Sequence, residues 1–170
     1  PAHLAPVIGL LRGLTDPVVG LSMGQTAENL AWRFGINREE MDQYAVDSHQ
    51  HLAHARDNNH LDEIEPVYDN QGNCYVMDDG LREDSTVEKL AKLKPVFDRQ
   101  VGLVTAGNSA QVTDGASMLI LASEQAIEKH GLPVWGRIVD SHWAGLDPAE
   151  MGLGPAHAMT PIMQRHDFSI

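Results

Sequence analysis

A single cysteine, Cys74, stands among 170 residues. It excludes a disulfide within the chain and suits a reducing compartment, so a cytoplasmic protein is expected. Aromatic residues are thin, three each of Phe, Tyr and Trp. No apolar run approaches the roughly 18 residues that a membrane-spanning helix needs. Basic side chains are outnumbered, 12 against 24 acidic, for a net charge of −12. Nucleic acid and anionic membranes want a basic face and are disfavoured as partners. A phosphate-bearing small molecule needs only a few local cations or a helix N-terminus and stays open. The N-terminal stretch PAHLAPVIGLLRGLTDP has no basic leader and reads poorly as a signal peptide. With no initiating Met, the chain reads as a processed or excised piece.

What is there is an ordinary apolar fraction of 42%, enough for one domain, or one and a partial second. The chain is organised around Val101–Ser117, VGLVTAGNSAQVTDGAS. A β-branched run leads into Ala106-Gly107-Asn108-Ser109-Ala110, turns at Asp114-Gly115 and enters a second apolar run, Met118–Ala122. Small residues there either allow tight structural packing or let a ligand approach free N–H groups and hydroxyls.

Ahead of it, Val7, Ile8, Leu10, Leu11 and Leu14 predict a short amphipathic helix ended by Pro17. A second helix is predicted over about Gln25 to Phe34, with Ala27, Leu30, Ala31 and Phe34 on one face and Gly35 as its stop. Asn37 and Glu40 form a capping box. The helix it opens runs to about Asn58 with Met41, Tyr44, Ala45, Ser48, Leu52 and Ala55 inward, antiparallel to the one before. Of its histidines only His51 and His54 share a face, and no ligand set for zinc is complete. Residues 64–68 and 74–77 predict a hairpin about a turn-rich Asp69–Asn73. Cys74 on that hairpin has neither a helix N-terminus nor a His⁺ neighbour to activate it and reads as structural. Ser85 to Glu88 predicts a capping box for a helix to about Lys92. Arg82, Lys89, Lys92 and Lys94 form the dense basic stretch, either a solvated helix end or an anion site that Leu93 and Phe97 would flank. Strands are expected at 101–105, 117–122 and 135–141. Helices are expected from Ser123 to His130, closed by Gly131, and after Thr160-Pro161. This is an α/β pattern.

Five motifs, SMGQTAENL, INREEMDQYAVDSHQ, AKLKPVFD, VTAGNSAQVTDGAS and GLDPAEMGLGP, occur in an order and spacing that resembles the middle of a thiolase, an acetyl-CoA acyltransferase. The NSAQVTDGAS form and HAMTPIM resemble the branch that works in fatty-acid β-oxidation beside a multifunctional partner subunit. The resemblance implies an incomplete thiolase-like α/β fold: a lead-in helix over 1–21, a helical and hairpin loop domain over 22–100 covering coenzyme A, and part of the core over 101–170, a partial mixed β-sheet with covering helices. It implies coenzyme A or acyl-CoA as substrate, no tightly bound cofactor, no metal, and a homo-oligomer. Met23 resembles a residue lining the pantetheine and acyl pocket, and Arg82 one near the nucleotide end. Leu93 and Phe97 resemble the adenine and pantetheine pocket, and Ala106, Ser109 and Ala110 the segment along the pantetheine arm. Met151 resembles a residue beside the acyl group. Two positions depart from the family: many thiolases have Ser at the place of Ala110, and His at the place of Ser22. Family chemistry is acyl transfer through a cysteine thioester, with a second cysteine moving protons and an oxyanion hole. Both cysteines, the activating His and the Asn-Glu-Ala-Phe motif would lie outside these residues. No catalytic residue is therefore assigned, and the chain alone is expected to be inactive. The alternative is a non-catalytic, thiolase-like module that binds coenzyme A or pairs with itself.

Overall fold

The computed structural model describes residues 9–170, with no description of the Leu11 side chain. Val7 and Ile8 of the expected lead-in helix lie outside those residues. Helix α1 (Gly9–Gly13) stops before Pro17. There the Asp16 carboxylate gathers the Val18 and Val19 amides at 2.8 and 3.0 Å, and Gly20 takes φ +68° to close the loop. An isolated antiparallel bridge between Thr15 and Ser22 then aims the chain into α2 (Met23–Phe34). This helix begins two residues earlier than expected because Ser22 and Gln25 form a capping box of their own. Gly35, left-handed at φ +65°, ends it.

The Asn37–Glu40 box forms as expected, with the Glu40 amide donating to Asn37 at 3.0 Å and the Asn37 amide to Glu40 at 2.8 Å. Helix α3 (Arg38–Asp57) follows. Its inward face is only in part the expected one: Met41, Ala45, Leu52 and Ala55 are half-buried, but Tyr44 and Ser48 are exposed. Asp42 and Val46 are buried, while Tyr44 is 78% exposed. The stripe is rotated because a buried carboxylate with partners outweighs a larger apolar side chain left to solvent. Nor does α3 lie against α2; it lies against α4 (Val87–Leu90). Thr86, not Ser85, caps α4, accepting from the Lys89 amide at 3.3 Å.

Between α3 and α4, β1 (Val67–Tyr68) and β2 (Cys74–Tyr75) pair antiparallel, Val67 opposite Tyr75 and Tyr68 opposite Cys74. The Asp69 carboxylate holds the turn: it accepts from the Gln71 and Asn73 amides at 2.9 Å each and from the Asn73 side chain at 2.8 Å. These bonds, the Asn73 side chain foremost, hold the Asp69 carboxyl below its ordinary pKa.

Among the described residues this hairpin is the only sheet, so the expected mixed sheet is not formed. The reason at 101–105 is visible: its backbone is already spoken for. The Leu103 and Val104 amides donate to Glu28, the Thr105 amide donates to Asn108, and the Val104 carbonyl accepts from the Val96 amide. Residues 117–122 and 135–141 form no ladder among the described residues, and Met118 to Leu121 stay 79% to 89% exposed. A strand is defined by its neighbour, and here none is present.

The described chain divides into two compact units. One runs to Gln111 and includes Pro148–Glu150, where Asn29 donates to the Ala149 carbonyl and Arg33 pairs with Glu150. The other comprises Val112–Asp147 and Met151–Ile170. In it, α5 (Glu124–His130) has the expected Ser123 cap and left-handed Gly131. A 3-10 segment (Pro148–Leu153) leads to α6 (Gly154–His166), which starts earlier than Thr160. Pro155 occupies the N-terminal turn, where a missing N–H costs nothing. Thr160, inside the helix, donates its hydroxyl to the Ala156 carbonyl at 2.7 Å, and Pro161 is internal too.

The last turn of α6 is tied down by Asp140, which accepts from Arg165 Nε and pairs with His166 Nε2, both at 2.9 Å. Those contacts, Arg165 first, and the Ser141 amide bring the Asp140 carboxyl down to about 2. A carboxylate with a depressed folded pKa stabilises the fold above its unfolded value of about 3.9, and that contribution fades as pH falls through the folded one. Protection of the amides at the end of α6, taken as intrinsic over observed exchange rate, should therefore fall between about pH 4 and pH 2. Asp140→Asn should abolish that pH dependence, as followed by NMR.

Candidate functional site

The centre of the first unit is a fully buried carboxylate, Asp42. Such a group is tolerable only when both oxygens are paired. Arg38, one turn earlier on α3, donates through Nε to Oδ2 at 2.8 Å. Asn108 donates through Nδ2 to Oδ1 at 2.9 Å and to the Leu103 carbonyl at 3.0 Å. Its own Oδ1 accepts from the Thr105 amide at 2.7 Å. The same Arg38 guanidinium donates to the carbonyls of Leu90 and Leu93. One Arg–Asp–Asn chain thus fixes α3, the end of α4 with Leu93, and the 103–108 backbone in one register.

Glu28 of α2 adds the second brace. Its carboxylate accepts the Leu103 amide at 2.9 Å through Oε2 and the Val104 amide at 2.9 Å through Oε1. Gly102 makes this approach possible: a Cβ there would lie 2.7 Å from Glu28 Oε1 and 2.3 Å from the Asp98 carbonyl oxygen. Asp98 in turn accepts from the Gln100 and Val101 amides, which hold its carboxyl below the usual range.

The turn at 105–109 closes on itself. The Gly107 amide donates to Thr105 Oγ1 at 3.2 Å, and Ser109 Oγ donates to the Thr105 carbonyl at 2.6 Å. Thr105 is fully buried, whereas Ala106, Ser109 and Ala110 are exposed. A rigid, small-residue edge is therefore presented to solvent, with the Ser109 hydroxyl oxygen free to accept a further bond.

The structure places the sequence-predicted site residues as follows. Met23 is the first residue of α2 and is partly exposed. Next to it, buried Gly24 receives the Phe97 ring: a Cβ on Gly24 would lie 2.0 Å from Phe97 Cε2. Leu93 lies against the 105–109 turn, 2.5 Å from where a Gly107 Cβ would stand. The Val96 amide donates to the Val104 carbonyl and so ties the segment that carries Leu93 and Phe97 to the backbone leading into the 105–109 turn. Met23 precedes Gly24 in the chain, and Ala106, Ser109 and Ala110 lie on the exposed side of that turn. Arg82 is exposed and is attached to α3 by its main chain, its amide donating to His49 Nδ1 at 3.2 Å. Met151, half-exposed on the 3-10 segment, belongs to the other unit. Lys89 of the basic stretch is paired with Asp84 at 2.6 Å, while Lys92 and Lys94 are exposed. Cys74 is free and exposed on β2. Among the described residues no group of three or more His, Cys, Asp or Glu is placed to hold a metal.

Sequence reasoning missed Arg38, Asp42, Asn108 and Glu28 as the residues that position this edge. The i,i+4 spacing of Arg38 and Asp42 was there to find. The contacts of Asn108 and Glu28 span 66 and 75 residues, and no local pattern marks them.

A family model described as thiolase, N-terminal domain, matches residues 6–125. The chain belongs to the thiolase family. Human mitochondrial 3-ketoacyl-CoA thiolase is 42% identical over 161 residues, which is 92% of this chain and 40% of that protein. A crystal structure of human mitochondrial 3-ketoacyl-CoA thiolase in complex with CoA matches with a TM-score of 0.88 at 37% identity, covering 99% of this chain and 45% of that one. The dimeric peroxisomal thiolase of Saccharomyces cerevisiae matches with a TM-score of 0.81 at 36% identity, over 88% of this chain and 38% of that one. The chain therefore has a partial thiolase fold and spans about two fifths of the length of these relatives.

Removing the thiolase chain's central carboxylate strands Arg38 and Asn108. Asp42→Ala should cost about 3 kcal/mol, and Asn108→Ala about 1–2 kcal/mol. Because the two share a bond, the double variant should cost less than the sum. Urea unfolding of the four proteins measures this.

Proposed function

We propose that this chain supplies the coenzyme A cradle of a 3-ketoacyl-CoA thiolase, an acetyl-CoA C-acyltransferase that cleaves or condenses acyl-CoA in fatty-acid metabolism. One observation carries the reading: the exposed Ala106, Ser109 and Ala110 edge is braced by Asn108 and lies beside Leu93, with Phe97 packed on Gly24, the residue after Met23. Narrow backbone edges flanked by apolar side chains suit an extended, amide-bearing arm. A relative that is 37% identical over nearly the whole chain was crystallised with CoA, which supports that choice of ligand.

In this reading the Ser109 hydroxyl and the 106–110 backbone lie along pantetheine. Leu93 and Phe97 flank the arm and the adenine ring, and Arg82 stands at the nucleotide end. Met23 serves the acyl region. Ala110 offers no hydroxyl, so polar contact there falls to Ser109 and the backbone. The thioester-forming cysteine, the activating His and the acid/base cysteine belong to other parts of the enzyme, and Cys74 plays neither cysteine role. We further propose a homo-oligomer, which the dimeric yeast relative supports, with a multifunctional β-oxidation subunit as a further partner. A cytoplasmic setting is proposed on the cysteine argument alone; the relatives are named mitochondrial or peroxisomal.

Isothermal titration of the 170-residue chain with coenzyme A tests the cradle. Micromolar binding that weakens about tenfold in Phe97→Ala is expected, since truncating a large apolar contact removes roughly 1–2 kcal/mol. No heat on titration, or binding indifferent to Phe97, would overturn the reading. Purified chain should show no turnover of acetoacetyl-CoA, with or without Cys74→Ala.

A further inference from the structure

Arg82 sits in a segment pinned at three consecutive residues. Its own amide donates to His49 Nδ1 of α3 at 3.2 Å. Glu83 is taken by Arg56, also of α3, which bonds Asp57 as well. Asp84 is taken by Lys89 of α4, whose Nζ bonds both the Asp84 carboxylate and its carbonyl at 2.6 Å. The result is selective. In a chain of net charge −12, the two carboxylates nearest to Arg82 in sequence are committed to other cations. The Arg82 guanidinium is exposed and makes no ion pair among the described residues. Asp84 still feels the Arg82 charge, but with both carboxylates bonded to other cations the exposed guanidinium has its donors open to an incoming anion.

Arg56 and Lys89 hold the side chains of the two residues that follow, the Ser85 amide donates to the Arg82 carbonyl at 3.1 Å within the same turn, and His49 is what ties residue 82 to α3. A half-buried histidine that accepts an amide N–H through Nδ1 must be neutral there and carry its proton on Nε2. We propose that His49 is a positioning residue for phosphate recognition. By accepting the Arg82 amide it fixes the main chain from which the guanidinium reaches the phosphates of the nucleotide end. This rests on the coenzyme A reading above and adds a residue to it. A side chain anchored at its own Cα loses less freedom on binding than one on a loose loop, and that difference appears as affinity.

The test is a titration cycle with coenzyme A on the unaltered chain, Arg82→Ala, His49→Ala, His49→Gln and the Arg82→Ala/His49→Ala pair. Arg82→Ala should weaken binding about 10- to 100-fold, the range of a charge-assisted bond. His49→Ala should weaken it about 3- to 10-fold, the range of one neutral bond. His49→Gln, which offers an amide oxygen as acceptor, should restore most of that loss. In the Arg82→Ala background, His49→Ala should have no further effect. A merely structural role for His49 would lower affinity equally in both backgrounds, and that result would overturn the positioning role, as would an unchanged affinity in His49→Ala alone. If the unaltered chain does not bind, or if Arg82→Ala binds as well as the unaltered chain, the coenzyme A reading itself is overturned.

Discussion

One buried negative charge sets the geometry of the first unit. Asp42 has no exposure to solvent, so both of its oxygens need donors inside the protein. Arg38 provides one and Asn108 the other. Each donor is itself bound to backbone on a different segment: Arg38 to the end of α4 and Leu93, Asn108 to Leu103 and Thr105. A charge that cannot be left unpaired thereby converts three distant stretches into one rigid body. Glu28 does the same from α2 with two amides. The exposed edge at 106–110 inherits its rigidity from these acids without containing either.

This arrangement explains why the basic residues matter more than their number suggests. Twelve cations face twenty-four acids, and several are consumed in holding loops: Arg38 on Asp42, Arg56 on Glu83, Lys89 on Asp84, Arg165 on Asp140. The exposed pairs contribute little to stability one by one. Their value is placement, because each fixes a turn whose backbone would otherwise wander.

Local chemistry was legible in the sequence. The Asn37–Glu40 box, the Ser123 cap, the Gly35 and Gly131 stops and the hairpin about Asp69 all appear where small polar residues and glycine require them. What depended on distant partners was not. The α3 face was misread because Asp42 is buried by residues 66 positions away. The strand at 101–105 was misread because Glu28 and Asn108 side chains occupy its amides in place of a neighbouring strand. The start of α6 was set by Pro155, not by Thr160-Pro161. In the candidate site, the 106–110 turn stood out through its composition, whereas the acids that brace it gave no local sign of doing so.

The exposed apolar run at Met118–Leu121 has a practical consequence for any preparation of this chain. It carries open N–H and C=O groups along a bare hydrocarbon surface, and such a segment will zip onto an identical one from another molecule. The acidic side chains that interrupt this, Asp114 before it and Glu124 after it, lie outside the run and repel one another between molecules only at low ionic strength. Self-association of the chain is therefore favoured by concentration and salt and opposed by dilution and low ionic strength.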